Sequence, residues 1–356
     1  MPAMPDSFDA DGLARQLGDA TDLHLLALAA ARITPLIARL HQGGTPVGLM
    51  AQHVQALNAL LIQRAWHLLA PAGLVANSCL FVMGSEGRGE QLLKTDQDNG
   101  LILRDGYSPP ADLAAICQRF SQALADFGYP PCPGHIMLSN PAWRHSAAEF
   151  GQTVRRWLLL PSADSLLALA IFIDARAVCG DASLLAQVRS EVQAGVVESD
   201  ALLARFASAI HNFDHEGGAG WWLHLFAADA GRRPLDLKKA GIFPLVHGVR
   251  ALALAEHLAC TGTTERIQAL VAAQRLPAEL GRALADSLHL FMRLKLDIGL
   301  AAVQAGKGGG GQSGQSGALL RPAQLSSADR DALKHALAVV KRFKQLLLLR
   351  FHLDAL

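Results

Sequence analysis

The chain has 356 residues, 51% of them hydrophobic and 18% charged, and carries a formal net charge of +1. Such a composition buries a large core and excludes a disordered chain, and the length suffices for two domains. The near-neutral charge excludes a global field that would gather nucleic acid or an anionic membrane, so any basic surface is local.

The first residues, MPAMPDSFDADGL, lack a basic stretch followed by an apolar one and are not expected to act as a signal peptide. Residues 8–70 read as helices, with Leu23, Leu26, Ala30, Ile33 and Ile37, then Val54, Leu57, Leu61 and Ala65, at helical spacing. Gly43-Gly44-Thr45-Pro46 separates the two segments, and Ala70-Pro71-Ala72-Gly73 ends the second. The pattern then changes. Cys79–Met83 and Leu101–Leu103 are short apolar runs expected as buried strands. Residues 111–127 read as an amphipathic helix with Leu113, Ile116, Phe120 and Leu124 on one face, and His135–Leu138 as a third strand.

From about Trp143 onward nearly everything reads as helix, with turn signals at Gly180-Asp181, Gly217-Gly218, Gly231, Gly262 and Pro277. The Gly/Ser-rich segment 306–317 is expected to be a flexible loop. The expected organisation is an α+β protein: an N-terminal helical region (1–72), a small α/β core (73–142) and a C-terminal helical region (143–356). No uninterrupted apolar run approaches the ~18 residues of a membrane span. The cysteines at 79, 117, 132, 179 and 260 have no CxxC spacing. They read as reduced thiols of a cytoplasmic protein, without a zinc site; with no membrane span expected, no membrane partner is expected either.

The chemistry concentrates in Leu80–Leu103, LFVMGSEGRGEQLLKTDQDNGLIL. An apolar strand runs into Gly84-Ser85, Gly87 and Gly89 follow, a helix-compatible piece spans Glu90–Lys94, and Asp96 and Asp98 precede the next strand. Gly84, without a Cβ, lets the backbone approach a phosphate, and a helix starting there offers unpaired N–H groups to an anion. Ser85 adds a hydroxyl donor, and Arg88 and Lys94 supply positive charge for further phosphate oxygens. Asp96 and Asp98, two apart in an extended segment, share a face and can converge on one hard cation, Mg²⁺ or Mn²⁺. Such an ion stabilises charge on an attacked phosphorus and on departing pyrophosphate, and Asn99 is placed to orient a carboxylate. Taken singly, a Gly-Ser turn or an Asp-x-Asp pair serves most often as a turn or a cap. In the order strand, Gly-Ser, Asp-x-Asp, strand they point together to a metal–triphosphate site.

At these residues the sequence resembles the DNA polymerase β-like nucleotidyltransferases. The fuller string GSEGRGEQLLKTDQDNGLIL resembles the bacterial signal-transduction nucleotidyltransferases known as DUF294, which are similar to the uridylyltransferase domain of the PII-modifying enzyme. The likeness extends through Tyr129–Gly134, Asn140-Pro141 and Trp143, through Phe172–Arg176, and through Leu235–Val246, which looks like the substrate-binding domain of that family. The resemblance implies a polymerase β-like core with a C-terminal helical bundle, a nucleoside triphosphate substrate and an acceptor hydroxyl on a PII-like protein rather than a specific nucleic acid. Asp96 and Asp98 would serve as catalytic metal ligands, and Gly84, Ser85, Arg88 and Lys94 would bind the nucleotide.

One position departs from the polymerase β-like pattern. A third acid often stands on a later strand, and the expected strand 135–138 carries His135 instead. His135 reads either as a base near neutral pH or as a surface histidine. In the C-terminal region Lys238 and Lys239 read as a basic edge facing the triphosphate or an acidic acceptor, or as a solvated helix start. Asp174 and Arg176 read as an ion pair or as cleft residues, while His211, His215, His224 and His247 lack metal-ligand spacing. Two other functions stay open: a nucleotide-binding regulatory module with little turnover, and a scaffold.

Overall fold

The computed structural model describes residues 7–196, 200–211, 234–305 and 319–353. The N-terminal periodic segments fold as four helices: α1 (Ser7–Asp19), α2 (Leu23–Ala31), α3 (Ile33–Gln42) and α4 (Val47–Leu69). Asp22 starts α2, its carboxylate accepting from the Leu25 N–H at 2.8 Å. Leu23–Gln42 is long and apolar enough, by length and composition, to cross a membrane, with a mean hydropathy of 1.5. Arg32 and Arg39 interrupt it, so no unbroken apolar run announces it. In the structure α2 and α3 pack on α1 and α4, burying Leu26, Ala30, Ile33 and Ile37. The short α5 (Ala72–Ala76) leads into the sheet.

The two apolar runs are strands, β1 (Ser78–Val82) and β2 (Asn99–Leu103), buried along their whole length and antiparallel, with Cys79 opposite Ile102. Two further strands complete a mixed sheet in the order β3-β2-β1-β4. β3 (Arg144–Ser146) runs parallel to β2, and β4 (Arg176–Gly180) antiparallel to β1.

The strand expected at 135–138 is not one. Ile136, Met137 and Leu138 are buried, but His135 has φ +53 and the Asn140 N–H closes a turn onto the Met137 carbonyl at 2.8 Å. The run is held beside β2 by Asn99, whose N–H donates to the Ile136 carbonyl at 3.1 Å and whose Oδ1 accepts from the Leu138 N–H at 2.9 Å. Burial without extension produced the apolar signature. The strand that does pair with β2 lies further on, in Arg144-His145-Ser146, which has no apolar run to announce it.

Across β1 and β2, Phe81 lies opposite Gly100. A Cβ on Gly100 would fall 2.3 Å from the Phe81 ring, so the glycine makes room for it. That ring meets Phe150 of α8 (Ala147–Leu159) and Phe172 of α9 (Ala163–Phe172) edge-on, with centroids 5.9 and 6.0 Å away. α6 (Gly84–Gly87) follows β1, and α7 (Leu113–Asp126) packs on α4, where Phe120 meets Trp66 edge-on at 5.3 Å.

The chain forms two compact units. The first runs to Leu159 and takes back Ile171–Val192; the second holds Leu160–Ala170 and the chain from Gln193. β3, α8 and β4 are therefore built into the sheet-bearing unit. After α10 (Ala182–Val196), the second unit contains α11 (Asp200–Ser208), a two-stranded ladder of β5 (Leu235–Asp236) and β6 (Leu319–Leu320), and a π-helical turn at Lys238–Ile242. α12 (Phe243–Ala255), α13 (Thr263–Ala272), α14 (Ala278–Gln304) and α15 (Ser327–Phe351) form its helical body. α12 is buried from Pro244 to Leu254, and at Gly248 a Cβ would lie 2.4 Å from Leu347 of α15. The segment 306–317, the turn signals at 217–218 and 231, and His215 and His224 lie outside the described residues.

Candidate nucleotide site at the Gly84–Asp98 turn

β1 delivers the chain through Met83 to Gly84, which adopts φ +57, a conformation that glycine accepts without Cβ strain. The single turn α6 begins there. The Gly87 and Arg88 N–H groups close the first bonds, onto the Met83 and Gly84 carbonyls at 2.9 and 3.1 Å. The N–H groups of Gly84, Ser85 and Glu86 precede that first turn and have no partner within it. The helix-compatible piece expected at Glu90–Lys94 is not helical; the helical turn comes before it.

Asp98 returns to the same place. The Met83 N–H donates to the Asp98 carbonyl at 2.8 Å, and a Cβ on Gly84 would lie 2.5 Å from Asp98 Oδ2. Between the two acids, Gln97 is buried. Its backbone N–H donates to the Pro130 carbonyl, and its amide donates to the Ser121 and Tyr129 carbonyls at 2.9 and 2.8 Å. Asp96 and Asp98, on either side of it in the chain, are both partly exposed. Asp96 has no hydrogen bond or ion pair among the described residues. Asn99, expected to orient a carboxylate, instead holds the 136–138 segment.

The expected cationic residues have protein partners. Arg88 donates from Nε to Glu90 at 2.6 Å and from a terminal nitrogen to Asp174 at 2.7 Å, and Asp174 is fully buried. Burial works against the Arg88 charge, but Glu90 and Asp174 more than offset it and raise its pKa. Lys94 Nζ donates to the Ala30 and Phe127 carbonyls at 2.9 and 2.6 Å and sits over the Tyr129 ring. Burial lowers its pKa to about 8. Lys238 and Lys239 belong to the second unit, where their backbone N–H groups are capped by Asp236 Oδ1 at 2.9 and 3.1 Å. His135 is exposed and lines a groove of about 500 Å³ with Gln118, Ser121, Met137 and Asn140.

Four residues to which the sequence assigned no role, Glu86, Asn58, Tyr129 and Cys132, stand in or beside the turn. The Glu86 carboxylate accepts from Asn58 Nδ2 of α4 at 2.8 Å, and the Tyr129 hydroxyl donates to Asn58 Oδ1 at 2.6 Å. Burial pushes Glu86 up to about 7, against the lowering effect of Asn58 and of Arg176. Asn58 carried a readable signal, a polar residue on the apolar stripe of Val54, Leu57 and Leu61. Burial pushes the Cys132 thiol up to about 11, and the Asp98 charge adds to the rise.

Among the described residues no group of three or more His, Cys, Asp or Glu side chains is placed to hold a metal ion. Magnesium shared with substrate phosphates needs only one or two protein carboxylates. Two carboxylates can meet that demand here: Asp98 lies against the Gly84 turn, and Asp96 has no hydrogen bond or ion pair among the described residues.

Two family profiles match the chain. The one described as "Putative nucleotidyltransferase DUF294" matches residues 31–164, and a "Putative nucleotidyltransferase substrate binding domain" matches residues 200–351. The chain belongs to the DUF294 nucleotidyltransferase family. Comparison with curated proteins gives no match. In this DUF294 chain the first profile covers α4, β1–β3 and the whole Gly84–Asp98 turn, and the second covers α11 through α15. The mixed sheet with its helices and the helical second unit agree with a polymerase β-like core followed by a helical substrate-binding domain. Families of this kind act on nucleotides and typically use divalent metals.

Proposed function

We propose that this DUF294 chain is a Mg²⁺- or Mn²⁺-dependent nucleotidyltransferase. It moves a nucleoside monophosphate from a nucleoside triphosphate to a hydroxyl on a protein acceptor, as the PII uridylyltransferases do. The observation that carries this reading is the contact of Gly84 with Asp98, which sets the Gly84-Ser85 turn against one acid of the pair. In this reading Asp96 and Asp98 hold the ion, and Gly84 and Ser85 receive the phosphates. Arg88 and Lys94 shape the turn from behind, consistent with their partners. The ion, when bound, supplies charge stabilisation for the attacked phosphorus and the pyrophosphate leaving group. Lys238 and Lys239 are assigned to the acceptor side, in the segment that matches the substrate-binding profile. We further assign the protein to the cytoplasm, in keeping with five free cysteines.

The test is incubation of the purified protein with each labelled nucleoside triphosphate, Mg²⁺ or Mn²⁺, and a cell lysate. Label should pass to a protein with one triphosphate, and an Asp96→Ala/Asp98→Ala variant should lose the transfer. No transfer by the wild type, or equal transfer by the double variant, sinks the enzymatic reading.

A second reading is a nucleotide-binding regulatory module with little turnover. It is favoured by β3, the neighbour of β2, which carries Arg144, His145 and Ser146 and no acid. Metal-dependent binding of a nucleoside triphosphate without pyrophosphate release supports this second reading.

A further inference from the structure

We propose that Glu86 is a positioning residue, its carboxylate tying the Gly84–Gly87 turn, through Asn58 and Tyr129, to the segment that carries Asp96 and Asp98. This inference rests on the reading of the turn and the two acids as a metal–triphosphate site, and it assigns Glu86 no contact with nucleotide or ion.

The turn and the acidic segment meet first through the main chain, where the Met83 N–H donates to the Asp98 carbonyl at 2.8 Å. One bond at the start of a turn does not by itself fix the direction in which the turn points. Glu86 supplies a second attachment, three residues further on. Its carboxylate accepts from Asn58 Nδ2 at 2.8 Å, and Asn58 Oδ1 accepts from the Tyr129 hydroxyl at 2.6 Å. Gln97, the residue between Asp96 and Asp98, grips the same stretch of chain. Its side-chain amide donates to the Tyr129 carbonyl at 2.8 Å, and its backbone N–H donates to the Pro130 carbonyl at 3.0 Å. A parallel path runs through Gln91. With its amide nitrogen toward Glu86, Gln91 donates to the same carboxylate oxygen at 3.2 Å and accepts from the Thr95 N–H at 3.2 Å, one residue ahead of Asp96. Arg88, from the other end of the turn, bonds instead to Asp174 and Glu90.

Asn58 is the costly link. It stands on the apolar stripe of α4 and is 1% exposed. A buried amide costs free energy unless its polar ends are bonded, and here the nitrogen and the oxygen both are. Such a bonded polar group inside a core is better suited to fixing one arrangement of its neighbours than to adding stability. The arrangement it fixes matters for an ion that is shared. Magnesium held by protein carboxylates and by substrate phosphates binds well only where the two sets of oxygens are correctly spaced. The tie therefore shows in the coupling between ion and nucleotide, the factor by which Mg²⁺ tightens nucleotide binding.

The experiment is calorimetric titration of the full-length chain with the α,β-methylene analogues of ATP, GTP, CTP and UTP, in Mg²⁺ and in EDTA. It gives that factor for the analogue that binds tightest. Wild type, Glu86→Leu and Glu86→Gln are compared, with thermal melts alongside. Glu86→Leu should reduce the factor about ten-fold or more, as loss of a group behind a metal ligand commonly does. Glu86→Gln keeps an acceptor for Asn58 and should retain most of it. Should the leucine variant not fold, Tyr129→Phe removes one hydroxyl from the path, leaves the ring in place and should lower the factor in the same direction. A factor unchanged in Glu86→Leu, whatever its melting temperature, overturns the proposal. So does an equal fall in the Leu and Gln variants, or an unchanged factor in Tyr129→Phe where that variant stands in. A wild type whose analogue binding Mg²⁺ does not tighten, or tightens equally in Asp96→Ala/Asp98→Ala, overturns the metal–triphosphate reading beneath it, which is a separate result.

Discussion

Gly84 and Asp98, fourteen positions apart in sequence, are in contact: a Cβ on Gly84 would lie 2.5 Å from the Asp98 Oδ2. Gly84→Ala therefore meets two obstacles, the φ of +57 and the carboxylate itself. The backbone conformation alone costs an L-residue about 1–2 kcal/mol, and Asp98 must turn aside. Metal-dependent nucleoside triphosphate binding should fall at least about ten-fold. Calorimetric titration checks the binding and a urea melt the stability; a variant that binds like the wild type removes Asp98 orientation from the site.

Arg88 and Asp174 give a second prediction. Their side chains are 11% and 0% exposed, and they meet at 2.7 Å. Truncating Arg88 to alanine removes a charge partner of a buried carboxylate, and breaking such a buried pair costs about 3–5 kcal/mol. Adding Asp174→Asn to that variant should recover part of the loss, because the charge that Arg88 had balanced is gone. Urea unfolding of the two variants measures both steps. A loss of nucleotide affinity in Arg88→Ala with unchanged stability would return Arg88 to direct phosphate binding.

Glu86 makes stability depend on pH. Burial raises its pKa from 4.5 to about 7, so between those values the folded protein holds a proton that the unfolded chain has released. Stability from this group is present below about pH 4.5 and is lost as pH rises through about 7. Glu86→Gln should flatten that part of the curve and melt higher than the wild type at pH 8. Melting temperatures across the range decide it; parallel curves for the two proteins would place the Glu86 titration elsewhere.

In the second unit the close approach of α12 and α15 rests on Gly248. A Cβ there would meet Leu347 at 2.4 Å and Phe343 at 2.7 Å. Gly248→Ala should destabilise this packing by about 1–3 kcal/mol, the usual cost of overfilling a close-packed interior. Hydrogen exchange of α12 and α15 amides is the direct measure, and unchanged protection would show that the two helices can part without cost.

The parts of this fold legible in sequence were those with a period or a run. The helices of residues 8–70, and the buried strands β1 and β2, follow from apolar spacing, and Gly84 does lie against Asp98. β3 was invisible because three half-exposed polar residues carry no periodic signal. Ile136-Met137-Leu138 misled because burial in a turn looks like burial in a strand. The partners of Arg88 and Lys94 were hidden for another reason. Asp174 is 86 positions from Arg88, and the Ala30 carbonyl is 64 from Lys94, and local sequence holds no record of such pairings. Asn58 could have been flagged as a polar residue on a core stripe, but its partners could not be named.

The three glycines of the turn differ in how much freedom their neighbours leave to drift. Gly89 abuts the Gln55 side chain, with a Cβ position 2.7 Å from its amide nitrogen; Gly84 abuts the Asp98 side chain; Gly87 abuts the Asp174 backbone carbonyl, at 2.1 Å. A lineage could open space at Gly89 by shortening Gln55, leaving the positive φ as the residual obstacle. At Gly84 the compensating change would delete an acid of the proposed site. At Gly87 no substitution elsewhere can help, because the obstructing atom belongs to the main chain. Wherever this architecture is inherited intact, position 87 should be the last of the three to change, for a reason independent of any ligand.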